Sequence, residues 1–285
     1  MMVALGVYVR RGQRTLRKFL TDSRVHAWAQ CAAWLLSGFA MSAASLGSRP
    51  QPLALGLLLA TAGWPTVLFS AGSMAGYLLF WGAAGAQGVV WIMAGTVAAV
   101  LLGGRPMVSE VKLLMPSLAA LITAAVGLAF QLWQADTTPT LYYLLRIAVA
   151  ALSAFLFQTA MQRRDPVVDW LVCGVGVLAL AQIAPIPYLG LGYIAAGILS
   201  CAGAFPAAAL AGLALDLARI TPVPMTAVLS LSYLLRLLPW GNKKWHFAAP
   251  AAVYLLVMSL CGVWDLTPVA GLAIGGAVAY FLPGQ

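Results

Sequence analysis

Charged residues are scarce in this sequence, and acidic ones are the scarcest. Only 8% of the 285 residues are charged and just 7 are acidic, whereas soluble globular domains carry about 25% charged residues. Hydrophobic residues make up 62% of the chain. So few charges cannot cover a water-facing surface of this size. The composition therefore excludes a water-soluble domain and predicts an integral membrane protein.

The sequence also lacks the short alternating segments of a membrane β-barrel. Its apolar runs extend over helix lengths, whereas barrel strands alternate over roughly ten residues. We therefore predict an all-α fold, a polytopic integral membrane helix bundle of about 10–12 transmembrane or partly re-entrant helices.

Residues that serve catalysis or metal binding lack suitable neighbours. The two histidines, His26 and His246, flank apolar runs without ligand partners, and the acidic residues are scattered singly. No glycine-rich phosphate loop ending in Lys-Ser or Lys-Thr is present. Four cysteines lie within apolar runs and are interpreted as packing residues; they are Cys31, Cys173, Cys201 and Cys261. We predict no catalytic residue, no metal site, no cofactor and no enzyme active site in this chain.

Basic residues outnumber acidic ones, giving a net charge of +9. They lie between apolar runs and mostly on one side of the predicted bundle, as charges that orient a protein in the bilayer do. This distribution argues against nucleic acid as a partner. It places both termini in the cytoplasm.

Residues 1–24 are predicted to be a basic amphipathic cytoplasmic segment. If Arg10 to Leu20 is helical, five basic side chains form a stripe about 120° wide; they are Arg10, Arg11, Arg14, Arg17 and Lys18. A helix lying on an anionic membrane surface has this pattern, and a simple positively charged flank of the first span fits equally well. Residues 25–283 would form the multi-span domain, followed by a short C-terminal end at 284–285.

The apolar runs predict the helices individually. They are Val25–Leu46, Leu53–Gly63, Thr66–Gly82, Ala86–Leu102, Leu113–Trp133, Leu141–Met161, Val167–Ala184, Tyr188–Gly203, Phe205–Ala218, Val223–Leu238, Ala248–Val263 and Val269–Leu282. Counting each run gives twelve spans, and merging the short ones pairwise gives ten. The second run is too short to span alone, which indicates a tilted or re-entrant pair with the third. The segment between the first two runs is assigned to a short outer loop.

The stretch from residue 204 to 241 is the most distinctive part of the chain. Two apolar helices are interrupted by a turn containing Pro222 and Pro224. Asp216 and Arg219 precede this turn, three residues apart on one predicted helical face. Charges beside an apolar span are costly unless they are paired or near the interface. The pattern predicts a defined interruption between two helices of the bundle, but it does not indicate any chemical reaction.

Other charged residues lie inside or beside predicted spans. Arg146 lies about one turn inside its span, and we expect its long side chain to extend outward to the interface, although an intramembrane arginine is by default a functional candidate. Arg163, Arg164 and Asp165 form an inner loop. Asp169 follows, and we expect an interfacial ion pair with one of the two arginines.

Several motifs resemble the membrane region of the stage II sporulation protein E family. The main one is the run from Asp216 to Val228, DLARITPVPMTAV. Three further segments resemble the same membrane region of that family; they are Gly76–Gly82, Arg163–Pro166 and Trp264–Pro268. The resemblance extends from about Val25 to Pro283.

The resemblance implies about ten membrane helices with cytoplasmic termini. In that family they precede a regulatory segment that engages the cell-division protein FtsZ, and then a metal-dependent serine/threonine phosphatase domain that activates the forespore sigma factor. This chain ends at Gln285, before any such domain, so we expect a fragment, a split gene product or a stand-alone homologue. No catalytic residue transfers to it.

The predicted function is membrane anchoring, localisation and self-association. The resemblance implies a location in the bacterial plasma membrane, at the polar division septum. The expected partners are the lipid bilayer, other copies of the chain in a homo-oligomer, and FtsZ or other septal proteins. The alternative is a secondary transporter or permease with Pro- and Gly-broken helices, in which Asp216, Arg219 and Arg146 would contact the substrate or the coupling ion. A third interpretation is a scaffold whose basic inner loops bind a separately encoded phosphatase.

Overall fold

The computed structural model describes residues 23–46, 49–102, 111, 113–133, 139–163, 165–186, 189–237 and 246–281, and they form an all-α fold. The helices are α1 (Ser23–Ser42), α2 (Leu53–Ala60), α3 (Trp64–Trp81), α4 (Ala86–Leu102), α5 (Leu114–Leu132), α6 (Thr140–Gln162), α7 (Pro166–Ala181), α8 (Leu191–Ala202), α9 (Phe205–Ala218), α10 (Met225–Arg236), α11 (Ala249–Cys261) and α12 (Thr267–Phe281). A 3-10 helix (Gly82–Gly85) joins α3 to α4, and two short strands, β1 (Ser45–Leu46) and β2 (Arg49–Pro50), follow α1.

The predicted apolar runs correspond to these helices, so the all-α prediction is confirmed. The runs Ala86–Leu102 and Phe205–Ala218 agree with α4 and α9 at both ends. Trp64 and Pro65 begin α3 instead of separating two runs, because proline in the first helical turn lacks only an N–H that would have no partner there.

Three stretches are long and apolar enough to cross a membrane: Trp64–Leu102, Leu114–Leu132 and Thr140–Gln162. The helices from α7 to α12 contain 12 to 16 residues. At 1.5 Å per residue they extend for about 18–24 Å, less than the roughly 30 Å of a bilayer core. The count of ten to twelve spans and the cytoplasmic position of both termini therefore stay predictions.

Large apolar side chains cover the outer face of the three long stretches. Leu79, Leu121 and Leu152 are 71%, 64% and 67% exposed, respectively. A water-soluble protein keeps contiguous apolar patches small, whereas a helix in lipid presents apolar side chains to its solvent. This surface agrees with the membrane protein that the composition predicts.

Glycines bring two helix pairs into backbone contact. In the α1–α3 pair, a Cβ added to Gly72 would overlap the carbonyl of Leu35. In the α8–α12 pair, a Cβ added to Gly275 would overlap the carbonyl of Ile194. Such close approach is typical of helix pairs in lipid. The hydrophobic effect does not drive helix association there, and small residues let the backbones approach closely enough for van der Waals packing.

The segment after α1, which the sequence assigned to a short outer loop, is a partly buried β-hairpin. β1 and β2 pair antiparallel, with Ser45 opposite Pro50 and Leu46 opposite Arg49. Ser45 is buried, and its hydroxyl accepts a hydrogen bond of 2.7 Å from Gln182. The hairpin therefore connects the first half of the chain, to which it belongs, with Gln182 in the second half.

Candidate functional site

Asp216, near the end of α9, joins that helix to the start of α10. Its Oδ1 accepts a hydrogen bond from the backbone N–H of Met225 at 2.6 Å. Its Oδ2 accepts one from the N–H of Thr226 at 2.9 Å and one from the Thr226 hydroxyl at 2.5 Å. We call these three residues the Asp216 clamp. A carboxylate satisfies the otherwise unpaired N–H groups of a helix start and faces the positive end of its dipole.

The local sequence creates this arrangement by turning the chain sharply between α9 and α10. Arg219 adopts a left-handed backbone conformation, with φ of 52°, and its N–H donates to the carbonyl of Asp216. Pro222 lies in the following turn and Pro224 immediately precedes α10. The reversal brings the first turn of α10 back beside the end of α9, within reach of the Asp216 side chain.

Arg219 lies beyond the end of α9, so the prediction that it shares one helical face with Asp216 is wrong. Among the described residues no ion pair joins them, and the Arg219 side chain is exposed. The left-handed residue ends the helix, so the two side chains no longer share a helical face. The backbone N–H groups at the start of α10, and not a guanidinium, face the Asp216 carboxylate.

The turn itself is linked to α11 and, through Tyr254, to the segment before α12. The Thr221 hydroxyl accepts from the N–H of Val223 at 3.2 Å and lies 3.5 Å from the hydroxyl of Tyr254. Tyr254, fully buried in α11, donates to the carbonyl of Asp265 at 2.8 Å. Asp216 and residues 219–224 line a depression of about 560 Å³ that is open to the surface. The turn between α9 and α10 therefore connects two packed helices, and its surface is a shallow, open depression.

Arg146 is the second candidate, and the prediction that it extends outward is wrong. It is only 4% exposed, and its Nη1 donates to Oε1 of Gln87 at 2.8 Å. The guanidinium also lies over the rings of Trp91, at 5.6 Å, and Tyr142, at 5.4 Å. Arg146 lies on the face of α6 turned toward α4, where a polar amide and two aromatic rings offset part of the cost of burying a cation.

Hydrogen bonds extend this site toward the hairpin. Gln51 donates from Nε2 to the hydroxyl of Tyr142 at 2.5 Å, and that hydroxyl donates to the carbonyl of Leu46. The hydroxyl of Tyr77 donates to the backbone carbonyl of Gln51 at 2.7 Å. We call this set the Arg146 cluster; its members are Gln51, Tyr77, Gln87, Trp91, Tyr142 and Arg146.

Two donors that α4 contributes to the Arg146 cluster have no acceptor among the described residues. They are Nε2 of Gln87 and Nε1 of Trp91, both in side chains at least nine-tenths buried. The two residues are four positions apart in α4 and so lie on one helix face. Buried donors without acceptors are costly and rare in folded proteins. The cluster therefore holds polar groups that the described part of the chain leaves incompletely hydrogen-bonded.

At the C-terminal end of α6, the expected ion pair of Asp169 is not formed with Arg163. Asp165 caps α7, its Oδ1 accepting from the N–H of Val167 at 2.9 Å. Arg163 and Asp169 are exposed, and no ion pair joins them in the described part of the chain. Arg164 lies outside the described residues, and so does the predicted basic stripe of Arg10, Arg11, Arg14, Arg17 and Lys18.

The sequence interpretation missed most of the Arg146 cluster. Its one readable signal was the spacing of four between Gln87 and Trp91 and between Tyr142 and Arg146, which puts each pair on one helix face. Nothing in the sequence indicated that the two faces meet. Gln51 lies outside any helix, so helical periodicity could not have found it.

The described residues contain no group of His, Cys, Asp or Glu side chains arranged to hold a metal ion. Comparisons of the chain with family models, with characterised proteins and with solved structures found no match.

Proposed function

We propose that this chain is a membrane anchor and localisation domain that self-associates, as the resemblance to the stage II sporulation protein E family implies. The setting would be the bacterial plasma membrane at the polar division septum, with FtsZ or other septal proteins as partners. The fold supplies the coarser part of this proposal, namely apolar helices long enough to cross a membrane.

The observation that favours anchoring is the use of Asp216. A transporter that coupled ion or substrate movement to this carboxylate would need to release it. Instead both oxygens are occupied by the start of α10. The Asp216 carboxylate therefore holds α9 and α10 together. This structural role suits an anchoring domain, which does not need to change conformation.

Localisation tests the proposal directly. We expect this chain, fused to a fluorescent protein and placed in a sporulating bacterium, to concentrate at the polar septum. An unrelated multi-span protein carrying the same tag is the matched control and should label the membrane evenly. An even distribution of the test fusion, with normal expression, would contradict septal targeting.

Self-association is tested separately. Two copies of the chain bearing different affinity tags should co-purify from mild detergent when they are expressed together. They should not do so when separately prepared membranes are mixed after solubilisation. Recovery of one tag alone from the co-expressing cells would exclude a stable homo-oligomer.

A transporter is the second candidate, and the Arg146 cluster is the observation that favours it. A buried guanidinium next to the acceptor-free donors of Gln87 and Trp91 would suit a small anion or a carboxylate group. Buried ionisable groups inside membrane proteins commonly mark the route of a substrate.

Anion flux distinguishes this candidate from the anchor. If the cluster binds a transported anion, Gln87→Leu should lower chloride or acetate flux into proteoliposomes by about tenfold, since a hydrogen bond to a charged group is lost. Gln131→Leu, at the half-buried end of α5, is the control and should leave flux unchanged. If vesicles containing the unsubstituted chain show no more flux than protein-free vesicles, transport of these anions is excluded.

A further inference from the structure

The helices of this chain pack in one pattern twice, first in α1–α6 and again in α7–α12. In the first set α1 packs against α3, and α2 packs against α4, α5 and α6. In the second set α7 packs against α9, and α8 packs against α10, α11 and α12. Sequence neighbours also pack together within each set. Connectivity explains contacts between neighbours, but it does not explain why the more distant partners are the same in both sets.

Corresponding helices also begin and end alike. α3 begins with Trp64-Pro65 and α9 with Phe205-Pro206, in each case an aromatic residue followed by proline in the first turn. The residue that follows each helix has a φ of 52°; it is Gly82 after α3 and Arg219 after α9. Glycine adopts a positive φ freely, whereas arginine rarely does. The unusual conformation of Arg219 therefore lies at a position where the other set has a glycine.

The segment between the first two helices of each set is a third point of agreement. Leu46 pairs antiparallel with Arg49 between α1 and α2, and Ile186 pairs antiparallel with Leu189 between α7 and α8. Beyond the β1–β2 hairpin and this bridge, no β-pairing occurs among the residues that the structure describes. The two places where backbone pairs in this way therefore correspond to each other.

Contacts of glycines in α3 show which way the first helices run. A Cβ on Gly72 would overlap the carbonyl of Leu35, and one on Gly76 would come within 2.7 Å of the carbonyl oxygen of Phe39. A step of four residues along α3 thus matches a step of four along α1 in the same direction, so the two helices are parallel. α2 lies between them in sequence and leads the chain back to the side where α1 begins.

The second set supplies the direction of the last helix. A Cβ on Gly271 would lie 3.3 Å from the carbonyl oxygen of Gly190, and one on Gly275 would lie 3.1 Å from the backbone nitrogen of Ile198. α8 and α12 are therefore parallel, and the shared packing pattern gives the same relation to α2 and α6. Because α2 returns the chain to the side where α1 begins, α6 ends on that side and α7 starts there. The two sets have the same orientation.

We propose that the chain is an internal duplication, in which two six-helix units of the same orientation dock through α1 and α7. The first unit is α1–α6 and the second is α7–α12. α1 packs against α7, its own counterpart, and contact between corresponding elements is what a twofold axis produces. The hydrogen bond from Gln182 to Ser45 joins the segments that follow α7 and α1 across the same interface. Units of equal orientation place this axis along the membrane normal, as in parallel repeats of transporters.

The duplication makes the two candidate sites counterparts. Gln87 is the second residue of α4, and Thr226 is the second residue of α10, the corresponding helix. Arg146 donates to Gln87, whereas Asp216 accepts from Thr226. Each unit therefore bonds a charged side chain to the start of its fourth helix, a cation in one unit and a carboxylate in the other. The chain carries one charged site in two diverged forms, on the same side of the membrane.

Cysteine labelling in intact cells tests the common orientation. The full chain, with its four native cysteines replaced by alanine, receives single cysteines before α3 and α9 (Ala62→Cys and Ala204→Cys) and after them (Ala83→Cys and Arg219→Cys). We expect a membrane-impermeant maleimide to reach the first two from one side of the membrane and the last two from the other. Labelling that groups Ala62→Cys with Arg219→Cys would show opposite orientations and overturn the proposal.

A divided chain tests the docking of the units. Residues 1–163 and 164–285 are expressed together as two polypeptides, and only the first carries an affinity tag. We expect the second to co-purify in mild detergent, and the complex to melt within a few degrees of the intact chain. The control is divided between residues 107 and 108, inside the first unit. It should be recovered about tenfold less, because this cut separates helices that pack together within one unit.

Two outcomes of the divided chain would overturn the proposal. One is failure of the fragments 1–163 and 164–285 to co-purify when both are produced, and the other is equal recovery from the two cuts. The inference uses only the membrane location within the proposed function, and not septal targeting or self-association. Reassembly of the two units in a chain that fails to localise to the septum would refute the anchoring proposal alone.

Discussion

Replacing Asp216 with alanine is expected to lower the free energy of unfolding by about 3 kcal/mol. The change removes three hydrogen bonds to a charged acceptor and leaves the first N–H groups of α10 without a side-chain partner. The two helices would also lose the contact that fixes the turn between them. Thermal unfolding in detergent, followed by intrinsic tryptophan fluorescence, measures the loss.

Three variants separate this effect from a general change of charge. Asp216→Asn keeps one carbonyl acceptor and should lose about half as much stability, because asparagine is also a good helix cap. Thr226→Val removes the hydroxyl bond alone and should cost about 1 kcal/mol. Arg219→Ala should have almost no effect, since that side chain is exposed. An unchanged melting temperature for Asp216→Ala would show that the clamp contributes nothing to stability.

Introducing leucine at Gly72 is expected to destabilise the fold by about 3 kcal/mol or more. Even a Cβ at this position would overlap the backbone carbonyl of Leu35, and backbone cannot move aside as a flexible side chain can. The α1–α3 pair would have to separate along its length. The expected result is a lower melting temperature in detergent and a larger fraction of aggregated protein on size-exclusion chromatography.

Gly176→Leu is the matched control for this prediction. Gly176 lies within α7, and an added Cβ there meets no atom within 4 Å. Leucine also has a higher helix propensity than glycine by up to about 1 kcal/mol. The control should therefore melt at the same temperature as the original chain or slightly above it. Similar losses for Gly72→Leu and Gly176→Leu would indicate that backbone contact between α1 and α3 is not what stabilises the pair.

Helix positions could be predicted from the sequence because apolar runs and their breaks are local properties. Pro206 and Ala218 bracket α9 closely, and the start of α10 was misplaced by only two residues, at Val223 instead of Met225. The direction each helix faces could not be predicted in the same way. A helix such as α4 is apolar on nearly every side, so periodicity does not identify its buried face.

The candidate sites show the same limit. The break at Pro222 and Pro224 was predicted, but the acceptor role of Asp216 depends on the left-handed conformation of Arg219, which residues other than glycine rarely adopt. Burial of Arg146 depends on Gln87, which lies 59 positions earlier in the chain. Long-range pairing of this kind leaves no local pattern in a single sequence.

The clamp has a consequence for how the second half of the chain enters lipid. Neither α9, with 14 residues, nor α10, with 12, is as long as the hydrocarbon layer is thick. A segment of that length, released alone by the insertion machinery, leaves polar backbone ends within reach of acyl chains. Because Asp216 holds the end of α9 against the start of α10, we expect the two helices to enter lipid together as a single hairpin.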